Sequence, residues 1–95
     1  IVLKDNIDTY DGTSTSGSFA LLGNQPTQDA FVVTRLRDEG AIIIGKGGMD
    51  ELASGMFGIS SRSGRIGNVY NPEKNPGGSS GGPATAVAAH FAVIG

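Results

Sequence analysis

The sequence predicts an α/β fold in which a parallel strand pair is joined by a crossing helix. Three observations carry this. Ile1–Leu3 is a short apolar run that meets Lys4 and Asp5, as a buried strand does where it emerges. Thr27–Glu39 places Val32, Val33 and Leu36 on one helical face and ends against Gly40. Ala41–Ile44 is apolar, mostly β-branched and closed by Gly45, the pattern of a strand buried on both faces. Strand, helix, strand implies a parallel pair with a right-handed crossover.

Each element has its own signals. After the first strand, Asp8–Thr27 is polar and rich in Gly, Ser and Thr, hence a long loop. Thr27 or Asp29 can cap the helix that follows, Arg35 and Arg37 suit its carboxyl end, and Gly40 is its natural stop. Beyond the second strand a short helix is expected around Met49–Ala53. Ser54–Pro76, rich in Gly, Ser, Asn and Pro, reads mainly as loop. Ala84–Phe91 should be helical. No internal repeat is present.

Ninety-five residues allow one domain, and a domain this short buries only a little over ~60% of the surface its unfolded chain exposes. Sixteen glycines are more than twice the usual ~7%, yet they cluster between apolar runs without a period, which points to several tight backbone sites. A net charge of −2 without a basic stripe implies neither nucleic acid nor an anionic membrane surface as a partner. The absence of cysteine removes thiol chemistry, disulfides and cysteine-based metal sites, and favours the cytoplasm. No stretch approaches the ~20 apolar residues of a membrane span; Ala84–Gly95, the longest candidate, is short and carries His90. The chain opens on Ile-Val-Leu and stops inside an apolar run, so it reads as a slice of something longer.

Several constellations resemble chemistry. Gly40–Lys46 matches G-x-x-x-x-G-K, but its four middle residues belong in a strand and Gly47 stands where Ser or Thr should hold magnesium, so nucleotide binding is rejected. Asp5, Asp8 and Asp11 with Gly12 hint at a calcium loop, but at the wrong spacing and without the closing Glu, and they read as turn and strand-end carboxylates. His90 is the sole histidine, which excludes a paired-histidine zinc site; a serine–histidine pair stays open but has no supporting motif, and a helix-surface or capping role is favoured. No metal or cofactor is called for.

What remains is Lys4 at a strand's carboxyl end, where open α/β sheets bind ligands, and Ser79 and Ser80 among Gly77, Gly78, Gly81 and Gly82. A partly desolvated lysine can act as a base. The serines precede a helix whose free N–H groups favour developing negative charge. Serine with lysine is a known alternative to serine with histidine. On spacing alone, Lys4 reads equally well as a surface lysine, and the glycine run as a solvated loop.

The stretches "IVLKDNIDTYDGTSTSGS", "PTQDAFVVTRLRDEGAIIIGKGGMDELASG" and "NPEKNPGGSSGGPATAVAA", in this order and at these separations, resemble the amidase signature family, most closely its peptide amidases. The resemblance covers nearly the whole chain. It implies a mixed sheet covered by helices, of which residues 1–95 would be a partial copy, and a serine hydrolase acting on small or peptide amides through a Ser, cis-Ser, Lys triad. Carried over by position, Lys4 is the lysine and Ser79 the bridging serine, following a cis peptide bond, with Ser80, Gly78 and Gly81 in support. The nucleophilic serine of the family belongs to a further glycine-serine motif past Gly95, so the rest of the amidase domain is the expected partner.

Two substitutions within the motifs depart from the family. Gly47-Gly48 replaces a common Thr-Asn and removes side chains from a region lining the pocket, while Pro83 replaces a small residue at a position whose fixed φ suits a first helical turn. Two other readings stand beside the hydrolase: a non-catalytic binding or structural module derived from the same fold, and the amidase component of a transfer-RNA amidotransferase.

Overall fold

The computed structural model describes residues 1–95. Strand β1 (Val2–Lys4) pairs in parallel with β2 (Gly45–Gly47), in the register Val2 with Gly45, Leu3 with Lys46 and Lys4 with Gly47. Between them in sequence come a 3-10 turn at Phe19–Leu21 and helix α1 (Phe31–Asp38). A second 3-10 turn at Glu51–Ala53 follows, then a two-residue hairpin of β3 (Ile59–Ser60) and β4 (Gly64–Arg65), and finally α2 (Gly81–Ala88). No helix is long and apolar enough to cross a membrane.

The second strand lies later than its apolar signal. Ala41–Ile44 is extended chain leading into β2, with Ile44 N–H donating to Ile1 O at 3.0 Å and the Ile1 amine donating to Ile42 O at 2.7 Å. It is not buried on both faces, since Ile42 is 77% and Ile44 56% exposed. Glycine has a low strand propensity, so the Gly-Lys-Gly that forms the ladder gives no strand signal. Another stretch of backbone lies against it at Gly47, where a Cβ would stand 2.6 Å from Pro83 Cδ and 2.8 Å from the Gly82 carbonyl carbon.

The helix that lies across both strands is therefore α2 rather than α1. Helix α1 commits Val33, fully buried, while Phe31 is 82% exposed. It also starts at Phe31, behind Ala30, and neither Thr27 nor Asp29 caps it. The Asp29 carboxylate is engaged elsewhere, accepting the Tyr10 N–H at 3.0 Å and pairing with Arg37 at 3.0 Å, which ties the long loop to the helix. Gly40 ends α1 as expected: at φ 84° it donates to Arg37 O, and Ala41 donates to Leu36 O, the paired bonds of a Schellman motif. His90 plays the same part after α2, at φ 61°, donating to Val87 O while Phe91 donates to Ala86 O. It is thus a capping residue on the surface.

Four apolar residues, Val2, Leu3, Val33 and Met49, are buried, against seven polar ones. The buried polar groups are bonded, as burial without partners would cost more than they could return. The Asp5 carboxylate accepts the Thr15 hydroxyl and the Gly17 N–H. Ser18 donates to Glu51 at 2.9 Å, and Ser60 Oγ accepts the Ser63 N–H at 3.1 Å. These bonds, more than apolar area, hold the loops around the strand pair.

Candidate active site

Pleating decides what the two strand lysines can reach. Side chains alternate faces along a strand, and paired residues share a face, so Lys4 lies with Gly47 while Lys46 lies with Leu3 on the opposite face. The Gly47 face is the one that α2 covers. There Lys4 Nζ donates to Ser79 Oγ at 2.5 Å, bridging 75 residues of chain, and both groups are partly buried. Lys46 instead donates to Thr13 O at 2.9 Å and Ser14 Oγ at 2.6 Å. Burial, opposed by the charges of Asp5, Asp8 and Asp11, leaves its pKa below the ordinary lysine value.

Close backbone approaches place the serines. The Gly78–Ser79 peptide is cis, and Gly77 before it has φ 81°, a left-handed conformation for which glycine has no steric penalty. Ser79 O accepts the Asp50 N–H at 3.1 Å. Ser80 is the exposed residue preceding α2, and its carbonyl takes the Ala84 N–H at 3.0 Å. Gly81 is buried, where a Cβ would meet Pro76 Cγ at 3.0 Å. Gly82 donates to Gly48 O at 2.8 Å, locking the helix start onto the chain leaving β2. That bond corrects one expectation. With the Gly82 N–H engaged and Pro83 lacking one, the α2 terminus offers a developing negative charge fewer donors than its sequence implies.

Of the residues singled out in the sequence, Lys4 and Ser79 are in direct contact, and Ser80, Gly78 and Gly81 flank them. The three aspartates do not converge. Asp5 serves the Thr15 loop, and Asp11 pairs with Arg37 at 2.8 Å, whose hydrogen bond lowers the Asp11 pKa. No three His, Cys, Asp or Glu side chains gather as a metal site. Gly45 and Lys46 stand in a ladder with β1, not in a phosphate-cradling loop.

Two depressions flank the strand pair. A polar one of about 430 Å³ includes Asp5, Asp11, Lys46, Gly47, Gly48 and Arg62 in its lining. An apolar one of about 300 Å³ has Lys4 and Ser80 in its wall beside Ile1, Leu3, Val32 and Pro83. The polar depression is larger, but the Lys4–Ser79 pair is not in its lining. The apolar one brings a base-capable group to an apolar surface, and so is the better candidate for substrate contact.

The sequence reading did not single out Asp50, which lies against the Gly78–Ser79 segment. It is 3% exposed, and its carboxylate accepts the N–H groups of Phe57, Gly58 and Ile59 at 3.0–3.2 Å. Burial opposes its charge, but the N–H groups of Ile59, Gly58 and Phe57 outweigh that and hold its pKa below the usual carboxylate value. Its donors lie seven to nine residues downstream, a separation with no periodic signature.

The family model described as Amidase matches residues 1–95. The chain is 48% identical over 94 residues to a glutamyl-tRNA(Gln) amidotransferase subunit of Methanococcoides burtonii, covering 99% of this chain and 20% of that one. Against the same subunit of Lachnospira eligens it is 50% identical over 96 residues, covering 98% and 20%. Among solved structures, native peptide amidase from Stenotrophomonas maltophilia superposes with a TM-score of 0.90 at 44% identity, over 96% of this chain and 20% of that chain. The corresponding glutamyl-tRNA(Gln) amidotransferase subunit from Thermotoga maritima gives 0.92 at 37% identity, over 97% and 20%. The chain spans about a fifth of the length of these relatives.

Proposed function

This chain belongs to the amidase family, and we propose that it supplies the proton relay of an amide-hydrolysing serine enzyme, with Lys4 as the base and Ser79 as the bridging serine. The observation that carries the reading is the 2.5 Å contact between Lys4 Nζ and Ser79 Oγ, across 75 residues of chain. Residues 1–95 are then part of an amidase domain, and the attacking serine belongs to chain outside them.

In this reading neutral Lys4 takes the Ser79 proton as Ser79 takes the proton of the attacking hydroxyl. That hydroxyl oxygen bonds to the amide carbonyl carbon, and backbone N–H groups hold the oxyanion. When the C–N bond breaks, the relay returns a proton to the leaving amine. Water then attacks the acyl-enzyme by the same path and releases the acid. The substrate class is a small or peptide amide. The apolar groove beside Lys4 supports an apolar substituent near the reacting carbonyl.

The identities of 48% and 50% to amidotransferase subunits favour a second reading, in which the same relay serves an enzyme of that kind. The test uses a full-length protein carrying this segment, assayed on simple amides and labelled with a fluorophosphonate probe for activated serine. Labelling and turnover are expected, and Lys4→Ala and Ser79→Ala should each slow turnover by orders of magnitude, since members of one relay fail together. Full-length protein that neither labels nor turns over would leave the non-catalytic module as the better account. Amide hydrolysis that appears only with partner chains present would favour the amidotransferase.

A further inference from the structure

Resting on the Lys4–Ser79 assignment above, we propose that Asp50 is the positioning residue of the relay: it joins residues 57–59, at the entry to β3, to the Gly78–Ser79 peptide and thereby sets Ser79 Oγ against Lys4 Nζ. Ser79 is held at two points. Its hydroxyl meets Lys4, and its carbonyl accepts the Asp50 N–H at 3.1 Å. The second point is only as rigid as Asp50 itself, and Asp50 is fixed by its own carboxylate. Oδ1 accepts from Phe57, Gly58 and Ile59 at 3.1, 3.0 and 3.2 Å, and Oδ2 accepts from Gly58 at 3.0 Å.

Glycines close the arrangement from two sides. A Cβ on Gly78 would overlap Asp50 Oδ2, so the backbone at Gly78 lies directly against the carboxylate. A Cβ on Gly55 would stand 2.8 Å from Oδ1. The side chain therefore has no room to turn or lengthen, and its backbone N–H keeps one direction. Convergent peptide N–H groups favour the charged carboxylate over any neutral replacement.

Asp50→Asn keeps the size but turns an NH2 toward the Gly58 N–H and Gly78, where an acceptor is needed. In the full-length protein we expect kcat on a simple amide to fall on the order of 10²-fold with KM within a few-fold, the loss that a misplacement of ~1 Å produces. A residue that only stabilises the fold could lower activity too, so the deciding measurement is a double-mutant cycle with Ser79→Ala. If Asp50 acts through Ser79, Asp50→Asn costs little once the hydroxyl is gone. An equal loss in both backgrounds, or no loss in either, overturns the proposal.

Gly55→Ala, at an exposed position, pushes on Oδ1 without changing charge and should lower kcat in the same direction by a smaller factor. Should Asp50→Asn fail to fold, the same cycle run with Gly55→Ala decides. The relay and the positioning role can fail separately. If Ser79→Ala alone is silent, the relay assignment fails and the positioning role fails with it. If Ser79→Ala is severe but the cycle is additive, only the role of Asp50 fails.

Discussion

Gly47→Ala tests whether the helix start is seated on the strand pair as described. The new methyl would lie 2.6 Å from both Pro83 Cδ and Pro83 N and 2.8 Å from the Gly82 carbonyl carbon. Carbon contacts are comfortable at about 3.5–4.0 Å, so α2 must retreat by roughly 1 Å. That retreat stretches the Gly82 N–H to Gly48 O bond, now 2.8 Å, past hydrogen-bond range. Overpacking costs about 1–3 kcal/mol and the lost bond about 1 kcal/mol, while replacing glycine in a strand returns about 0.5–1 kcal/mol. The net expectation is a destabilisation of about 1–3 kcal/mol, read from urea unfolding of a full-length protein carrying this segment. Gly67→Ala is the control: a Cβ there meets nothing within 4 Å, and the change should stay within about 0.5 kcal/mol. Because Ser79 enters α2 through Ser80, the same retreat should move its hydroxyl from Lys4 and lower kcat. A Gly47→Ala protein as stable and as active as the Gly67→Ala control would refute this account of how the site is assembled.

Three further outcomes follow from other residues. His90→Gly should raise stability by about 1 kcal/mol, because His90 caps α2 at φ 61°, where a side chain carries a cost that glycine avoids; thermal unfolding reads it, and no gain would mean that the cap is unstrained. The Asp50 pKa is lowered in the fold, so its carboxylate adds stability that is complete above the ordinary carboxylate value and is lost as pH falls through the lowered one; urea midpoints against pH should show a smaller acid loss in Asp50→Asn. The 95-residue chain alone should hydrolyse no amide, since the proposed relay of Lys4 and Ser79 has its attack assigned to a serine outside it; turnover that survives Lys4→Ala and disappears with Ser80→Ala would make Ser80 a nucleophile in its own right.

The sequence is legible where local chemistry determines the structure. Gly40 stops α1, Ile1–Leu3 foretells the first strand within one residue of β1, and a helix follows the glycine-serine run. It is illegible where a distant contact decides. Ala41–Ile44 has the composition of a buried strand, yet the ladder forms at Gly45–Gly47, where the start of α2 lies against Gly47, and propensity counts glycine against a strand. Likewise Thr27 and Asp29 offer capping side chains, but Asp29 is drawn to Arg37 and the Tyr10 N–H, so α1 begins at Phe31 without either.

The same contrast bears on the site. Lys4 and Lys46 both stand in strands beside glycine-rich chain, and composition cannot rank them. Parity can, once the register is known. Lys4 pairs with Gly47 and so faces the helix that Ser79 leads into, whereas Lys46 pairs with Leu3 and is taken up by Thr13 and Ser14. A slip of one residue in the β1–β2 register would turn one strand over relative to the other and put both lysines on the same face. The start of α2 is seated on the Gly47 face, with Pro83 and Gly82 against Gly47 and the Gly82 N–H on Gly48 O, so the pairing of Lys4 with Gly47 is what sets Lys4 beside Ser79.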